Sequence, residues 1–207
     1  MKYIFVAGAP GSKWSSVVKN IYYSPDIDRS DYSDARTYYH DASGEMQLMH
    51  LGAYFDPGME FGKLFHRLSM YDMETLEKDF NEPFSGTGVR IVKSHVFANH
   101  IDHIKANWPE CPLVLVHRPD DACLGWWVKC GHFDITYPSY DFYYKDLKQM
   151  AQRIKEQNQG IVAAMNHSPG RREISDNLHL CQVLGIAAPP AEYAQNYAAS
   201  DIKVTVI

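Results

Sequence analysis

The 207-residue sequence predicts a single α/β domain, a three-layer fold with a mostly parallel central sheet and helices on both faces. Three observations predict it. An apolar run opens the chain and breaks at a glycine-rich turn that leads into a helical pattern, the strand–turn–helix unit of parallel sheets. Further short apolar runs, at residues 89–92 and 112–117, alternate with segments whose apolar residues recur every three or four positions. No internal repeat or linker divides the chain, and its length suits one domain with a real core.

Residues 3–7 (YIFVA) are almost purely apolar and rich in β-formers, as strands buried on both faces are. Gly8 to Gly11 break the run, and Trp14, Val17, Val18 and Ile21 then recur at helical spacing. Residues 22–62, rich in Tyr, Asp, Ser and Gly, predict a variable surface segment with short strands near residues 46–51. Met73, Leu76 and Phe80 predict a helix beginning near Ser69. Residues 89–92 predict a strand ending at Lys93-Ser94-His95, Ile101 and Ile104 a short helix, and residues 112–117 (PLVLVH) another buried strand. That strand stops at Arg118-Pro119-Asp120-Asp121, where the acidic pair suits a helix amino terminus, and the helix should run to about Cys130. Leu147, Met150, Ala151 and Ile154 mark a longer helix. Ile174, Leu178 and Cys181 mark a last one that closes at Gly185, and residues 202–207 suit an edge strand.

Composition narrows the function classes. Hydrophobic residues make up 45% and charged residues 22%, as in ordinary globular proteins. A net charge of -5 argues against a nucleic-acid partner, which needs many cations, yet leaves room for a small anion held by local donors. Cys111, Cys123, Cys130 and Cys181 lack paired metal-site spacing, so reduced thiols are expected. No apolar run approaches the ~20 residues that span a bilayer, and the stretch before Gly8 is too short for a signal peptide. The expectation is a cytoplasmic protein without a membrane partner. His40, His50, His66, His100 and His103 lack metal-ligand spacing and no metal is expected, while Met46, Met49, Met59 and Met70 suit gap-filling core positions.

Chemistry concentrates at three strand ends. In Gly8-Ala9-Pro10-Gly11-Ser12-Lys13-Trp14-Ser15-Ser16, successive backbone N–H groups can converge on an anion, and Lys13 and the serines can add donors. The loop departs from G-x-x-x-x-G-K-[ST]: Lys13 lacks the preceding Gly, and Trp14 stands where a hydroxyl would hold magnesium. A magnesium-dependent nucleotide kinase is therefore the alternative rather than the first reading. Lys93 and His95 end the next strand, where a His with near-neutral pKa can serve as general base. Arg118 follows the third and suits a bidentate phosphate contact.

Four segments in this order, GAPGSKWSS, VKSHVFANHI, VLVHRPDDACLGWW and NLHLCQVLGIAAPP, resemble the sulfotransferase family. The family's counterparts read P-[KR]-S-G-T-T, K-[ST]-H, R-[DN]-P-x-D-x-x-x-S and a late helix ending L-G-[LI]-x-x-P. The likeness covers residues 2–19, 89–130 and 174–190. It implies a P-loop NTPase-like fold and transfer of a sulfuryl group from 3′-phosphoadenosine 5′-phosphosulfate to a hydroxyl or amine acceptor, releasing adenosine 3′,5′-bisphosphate without a metal. By the same resemblance Pro10, Gly11, Ser12, Lys13, Trp14, Ser15 and Ser16 surround the 5′-phosphosulfate. His117, Arg118 and Gly125 fall in the 3′-phosphate segment, and Arg171 and Arg172 stand in for the family's glycine-rich carboxyl-terminal segment. His95 takes the general-base role, Lys13 and Lys93 stabilise charge on the bridging oxygen, and residues 22–62 meet a small-molecule or carbohydrate acceptor. The chain departs from the pattern at Gly11, where a basic residue is usual, at His117, one step before Arg118, and at Gly125, where a Ser is usual. Those departures keep open an inactive nucleotide-binding or scaffold protein of the same fold.

Overall fold

A computed structural model describes residues 1–32, 37–39, 47–49, 51–55, 65–130, 145–193 and 201–207. The first apolar run forms β1 (Tyr3–Gly8), all six residues buried, and α1 (Trp14–Tyr22) follows after a five-residue turn. Next come β2 (Thr37–Tyr39), β3 (Gln47–Met49), β4 (Ala53–Tyr54), a 3-10 helix at Phe65–Met70 and α2 (Met73–Asn81). β5 (Arg90–Lys93) leads directly into a 3-10 helix at His95–Asn99 and then α3 (Ile101–Asn107). β6 (Leu113–His117), α4 (Asp120–Lys129), α5 (Leu147–His167), β7 (Arg172–Ile174), α6 (Asn177–Leu184) and β8 (Lys203–Val206) complete the order.

Six strands form one sheet in the order β4-β5-β1-β6-β8-β7. β4, β5, β1 and β6 are mutually parallel, β8 runs against β6, and β7 runs against β8. Five strands thus share one direction. β2 and β3 pair separately as an antiparallel ribbon. Alternation along β1 separates two cores. Ile4 and Val6 face Val17, Val18 and Ile21 of α1 and Leu180 and Leu184 of α6. Tyr3, Phe5 and Ala7 face Leu76 and Phe80 of α2, Ile104 of α3 and Ile161 of α5. Around Phe5, the rings of Phe80, Phe97 and Trp108 lie at centroid distances of 5.5, 5.7 and 5.3 Å in edge or tilted arrangements. Pairs of this kind contribute about 0.5–1.5 kcal/mol beyond the area they bury.

The helix termini follow local chemistry. Asp72, Asp146 and Asp176 cap α2, α5 and α6, accepting from the N–H groups of Thr75, Gln149 and His179 at 2.7, 2.8 and 2.9 Å. Gly185 closes α6 in the left-handed conformation at φ 66°, as its position predicts.

Several details differ from the sequence expectations. α2 begins at Met73, capped by Asp72, rather than near Ser69, which lies in the preceding 3-10 turn. The carboxyl-terminal strand is not an edge: β8 inserts between β6 and β7, because Val204 and Val206 join the core and β7 covers its outer side. Ile174 belongs to that covering strand rather than to the last helix. Met70 is 73% exposed, since the 3-10 turn ending there buries Leu68 instead. Residues 22–32 are anchored at the amino ends of the strands: Ile27 bridges to Val89, and Asp28 accepts from the Ser30 N–H and hydroxyl at 3.0 and 2.6 Å. Met46, Met59, His40, His50 and most of the remaining segment to residue 62 lie outside the described residues.

Candidate functional site

The topology makes the carboxyl end of β1 the point where the connections of the sheet diverge. α1 leaves β1 toward one face of the sheet, whereas the 3-10 helix and α3 leave the adjacent β5 toward the other. Ligands of open α/β sheets bind where neighbouring connections diverge in this way. The turn after β1 is shaped for it. Gly11 has φ 81°, and a Cβ there would come within 2.7 Å of the Cys123 carbonyl carbon, so only glycine fits between the turn and α4. Lys13 is the one described non-glycine residue with positive φ, at 60°, an arrangement that costs about 1–2 kcal/mol and persists because the turn requires it.

This geometry leaves donors available. The Ser12 N–H donates back to the Ala9 carbonyl at 3.0 Å, which tightens the turn. The Trp14 and Ser15 N–H groups, in the first turn of α1, have no intrahelical partner, and among the described residues no side chain caps them. The three aspartate-capped helices make the contrast. Ser12 is fully buried, and its hydroxyl has no hydrogen-bond partner among the described residues. A buried hydroxyl without a partner is costly unless something else uses it. Pro10 is buried, Ser15 half-buried and Ser16 exposed. The Lys13 ammonium lies 4.3 Å from the centroid of the Trp126 ring, with Lys129 over the same ring at 5.8 Å.

His95 sits against the base of the same turn. Its Nδ1 hydrogen-bonds the Gly8 carbonyl, which can only accept, so Nδ1 carries the proton and Nε2 of the neutral ring is left as the basic nitrogen. The imidazole stacks on Trp14 at 4.0 Å and meets Tyr54 edge-on at 5.8 Å, and it is 3% exposed. Trp14 therefore fills space beside the histidine rather than reaching a metal. Lys93 is fully buried behind this pair, its ammonium 5.5 Å from the Trp14 centroid and 5.4 Å from that of Tyr54. Its side chain lies against the two aromatic rings and does not reach the surface.

The third strand tip is braced to the turn. Arg118 donates from Nε to Asp201 Oδ2 at 2.7 Å and from Nη1 to the Gly11 carbonyl at 3.2 Å. That hydrogen bond, with the cations Arg118 and Lys13 nearby, holds the Asp201 carboxyl below its usual range. Asn158 of α5 fixes the turn from below, donating to the Arg118 carbonyl at 2.9 Å and to Asp120 Oδ1 at 2.6 Å. His117 is half-buried and paired with Lys203 across the strands. Burial, with the Lys203 charge adding to it, lowers its pKa from 6.5, so the ring is neutral at pH 7.

Lys13, His95 and Arg118 therefore gather around one turn, together with Gly11, Ser12, Trp14 and Lys93. Arg171 and Arg172 do not join them. Arg172 lines a cavity with Met1, Pro112 and Ile207 at the amino ends of the parallel strands, because β7 sits on the far edge of the sheet with Arg172 in register with Val206. Gly125 is exposed on α4, and no atom of the described residues lies within 4 Å of where a Cβ would be. Tyr54, Asp201, Trp126 and Asn158 were not foreseen. No pattern in the sequence assigns any of the four a place in the site, and only pairing or packing brings each to the turn.

Among the described residues no group of three or more His, Cys, Asp or Glu side chains could hold a metal ion, and no helix is long and apolar enough to cross a membrane. All four cysteines are buried thiols outside any disulfide. No protein-family model, curated protein or solved structure matches the chain.

Proposed function

We propose that the protein is a sulfotransferase that holds the phosphosulfate end of a nucleotide donor on the turn after β1 and passes the sulfuryl group to a hydroxyl or amine acceptor. One observation carries the reading: a helix start that no described side chain caps, and a buried Ser12 hydroxyl with no partner among the described residues, lie beside a histidine whose Nδ1 is held by the Gly8 carbonyl, which leaves Nε2 as the basic nitrogen of its neutral form. The donor that the sequence resemblance names is 3′-phosphoadenosine 5′-phosphosulfate, and its 5′ end fits the donors present here. The Trp14 and Ser15 N–H groups and the dipole of α1 bind the anionic end, and Lys13 leaves Trp126 to meet it. His95 accepts the acceptor's proton at Nε2 as the acceptor oxygen or nitrogen attacks sulfur and the bond from sulfur to the bridging phosphate oxygen breaks, which leaves the nucleotide 5′-phosphate on the turn. Lys93 offsets developing negative charge from behind the aromatic pair. The likeness to P-loop NTPases belongs to this reading too, and rests on the β1–turn–α1 unit and on β1 lying between β5 and β6.

A nucleotide kinase fits less well, since the Trp14 ring takes the place of a magnesium-binding hydroxyl. A second reading, a nucleotide-binding protein without turnover, is favoured by the 3% exposure of His95. Two measurements on wild type and His95→Ala separate them: nucleotide binding without metal, and transfer from a radiolabelled phosphosulfate donor to a panel of phenols and sugars. The enzyme reading expects unchanged binding and a roughly 10²–10⁴-fold loss of transfer. Equal transfer by the two proteins contradicts the role of His95. Tight binding with no transfer by wild type to any acceptor supports the second reading.

A further inference from the structure

Resting on the reading above, we propose that the nucleotide accepted at this turn carries a free 3′-hydroxyl, and that Asp201 is the residue that selects it. The resemblance assigns a 3′-phosphate to the strand tip at His117 and Arg118. The groups at that tip do not fit a second phosphate. Arg118 is already committed, with its Nε on Asp201 and its Nη1 on the Gly11 carbonyl, and its side chain is only 12% exposed. Its positive charge is matched by a carboxylate at 2.7 Å. Gly125 supplies no hydroxyl, and Arg172 lies at the other end of the strands. Lys203 is exposed on a flexible stem and offers a point charge without a fork.

Asp201 is not a loose tail that a ligand could push aside. It lies two positions before β8, separated from it by Ile202 alone, and β8 is hydrogen-bonded on both sides, to β6 and to β7, with Val204, Thr205 and Val206 buried. A fixed carboxylate repels a phosphate dianion and accepts a hydrogen bond from a ribose hydroxyl. Dinucleotide sites use the same contrast, an acidic side chain where the ribose is free and an arginine where it is phosphorylated. Here the arginine is present but neutralised by its own acidic partner.

Calorimetric titration in the presence of a chelator tests this, with adenosine 5′-monophosphate and adenosine 3′,5′-bisphosphate as probes and Asp201→Asn as the variant. Wild type is expected to bind the monophosphate at least about tenfold more tightly, and Asp201→Asn to shrink or reverse that ratio by about tenfold. Equal affinities in wild type, or a preference for the bisphosphate, overturn the proposal and leave the turn as the phosphate site. Binding of neither nucleotide overturns the phosphate reading and this proposal together. The wild-type comparison decides alone if the variant does not fold.

Discussion

Three glycines of this chain separate two costs that are usually confounded. Gly11 and Gly185 both have positive φ, at 81° and 66°, so alanine at either pays the left-handed penalty of about 1–2 kcal/mol. Around Gly185 there is open space, whereas a Cβ at Gly11 would lie within 2.7 Å of the Cys123 carbonyl carbon and 3.0 Å of its Cα. Those are backbone atoms of α4 and cannot rotate away. Relieving the overlap means shifting the turn from α4, a cost of about 1–3 kcal/mol of the overpacking kind, and it disturbs the Arg118 bond to the Gly11 carbonyl. Gly11→Ala should therefore lose about 2–5 kcal/mol and Gly185→Ala about 1–2. Gly125, within α4 with open space and no positive φ, should gain about 0.5–1 kcal/mol as alanine. Urea unfolding followed by fluorescence and circular dichroism measures all three. In a domain of this size each kcal/mol moves Tm by roughly 2–4 °C. If Gly11→Ala lost no more than Gly185→Ala, the close approach of the turn to α4 would be wrong.

Other outcomes follow from single side chains. Ser12→Ala removes a buried hydroxyl that has no partner among the described residues, so the ligand-free protein should be unchanged or more stable by up to about 1 kcal/mol, while nucleotide affinity falls; a large loss of stability in a thermal melt would show that the hydroxyl is bonded within the fold. Burial pushes the Cys123 thiol up to about 12 and Cys130 to about 11, so a thiol reagent at about pH 8 should label both only as the protein unfolds. Rapid labelling of native protein at either would contradict their placement. Hydrogen bonds from backbone N–H groups lower the pKa of Asp72 and Asp176, and the Arg118 bond lowers that of Asp201, each from the ordinary 3.8. Their stabilisation is present above that value and is lost as pH falls through the lowered folded values, so the urea midpoint should drop as the pH is taken below the ordinary carboxylate range. Asp176→Asn, which keeps an acceptor at the cap, should flatten part of that fall.

The parts of the fold carried by local pattern were legible. The apolar run at residues 3–7, the helical recurrence from Trp14 to Ile21 and the strand at residues 112–117 each declare their own burial, and the structure has them as expected. Elements defined by their neighbours were not. β4 is two residues long and exists through pairing with Val92 and Lys93, and β8 sits inside the sheet because β7 covers it. The site divides the same way. Gly11, Lys13 and His95 are visible in sequence because glycine, lysine and histidine at strand ends carry their chemistry with them. Asp201 lies 83 residues from Arg118, and Tyr54 reaches His95 only because β4 and β5 run side by side. Arg171 and Arg172 show the converse, since cations attractive in composition were carried to the wrong end of the strands by the register of β7.

The most direct measurement follows backbone amide resonances while adenosine 5′-monophosphate is added in the presence of a chelator. Saturable shifts concentrated at Gly11, Lys13, Trp14 and Ser15, with the Trp126 indole responding as Lys13 leaves it, are the expected result. Shifts confined to the neighbourhood of Arg172, or none at all, would contradict a phosphate site on the turn after β1.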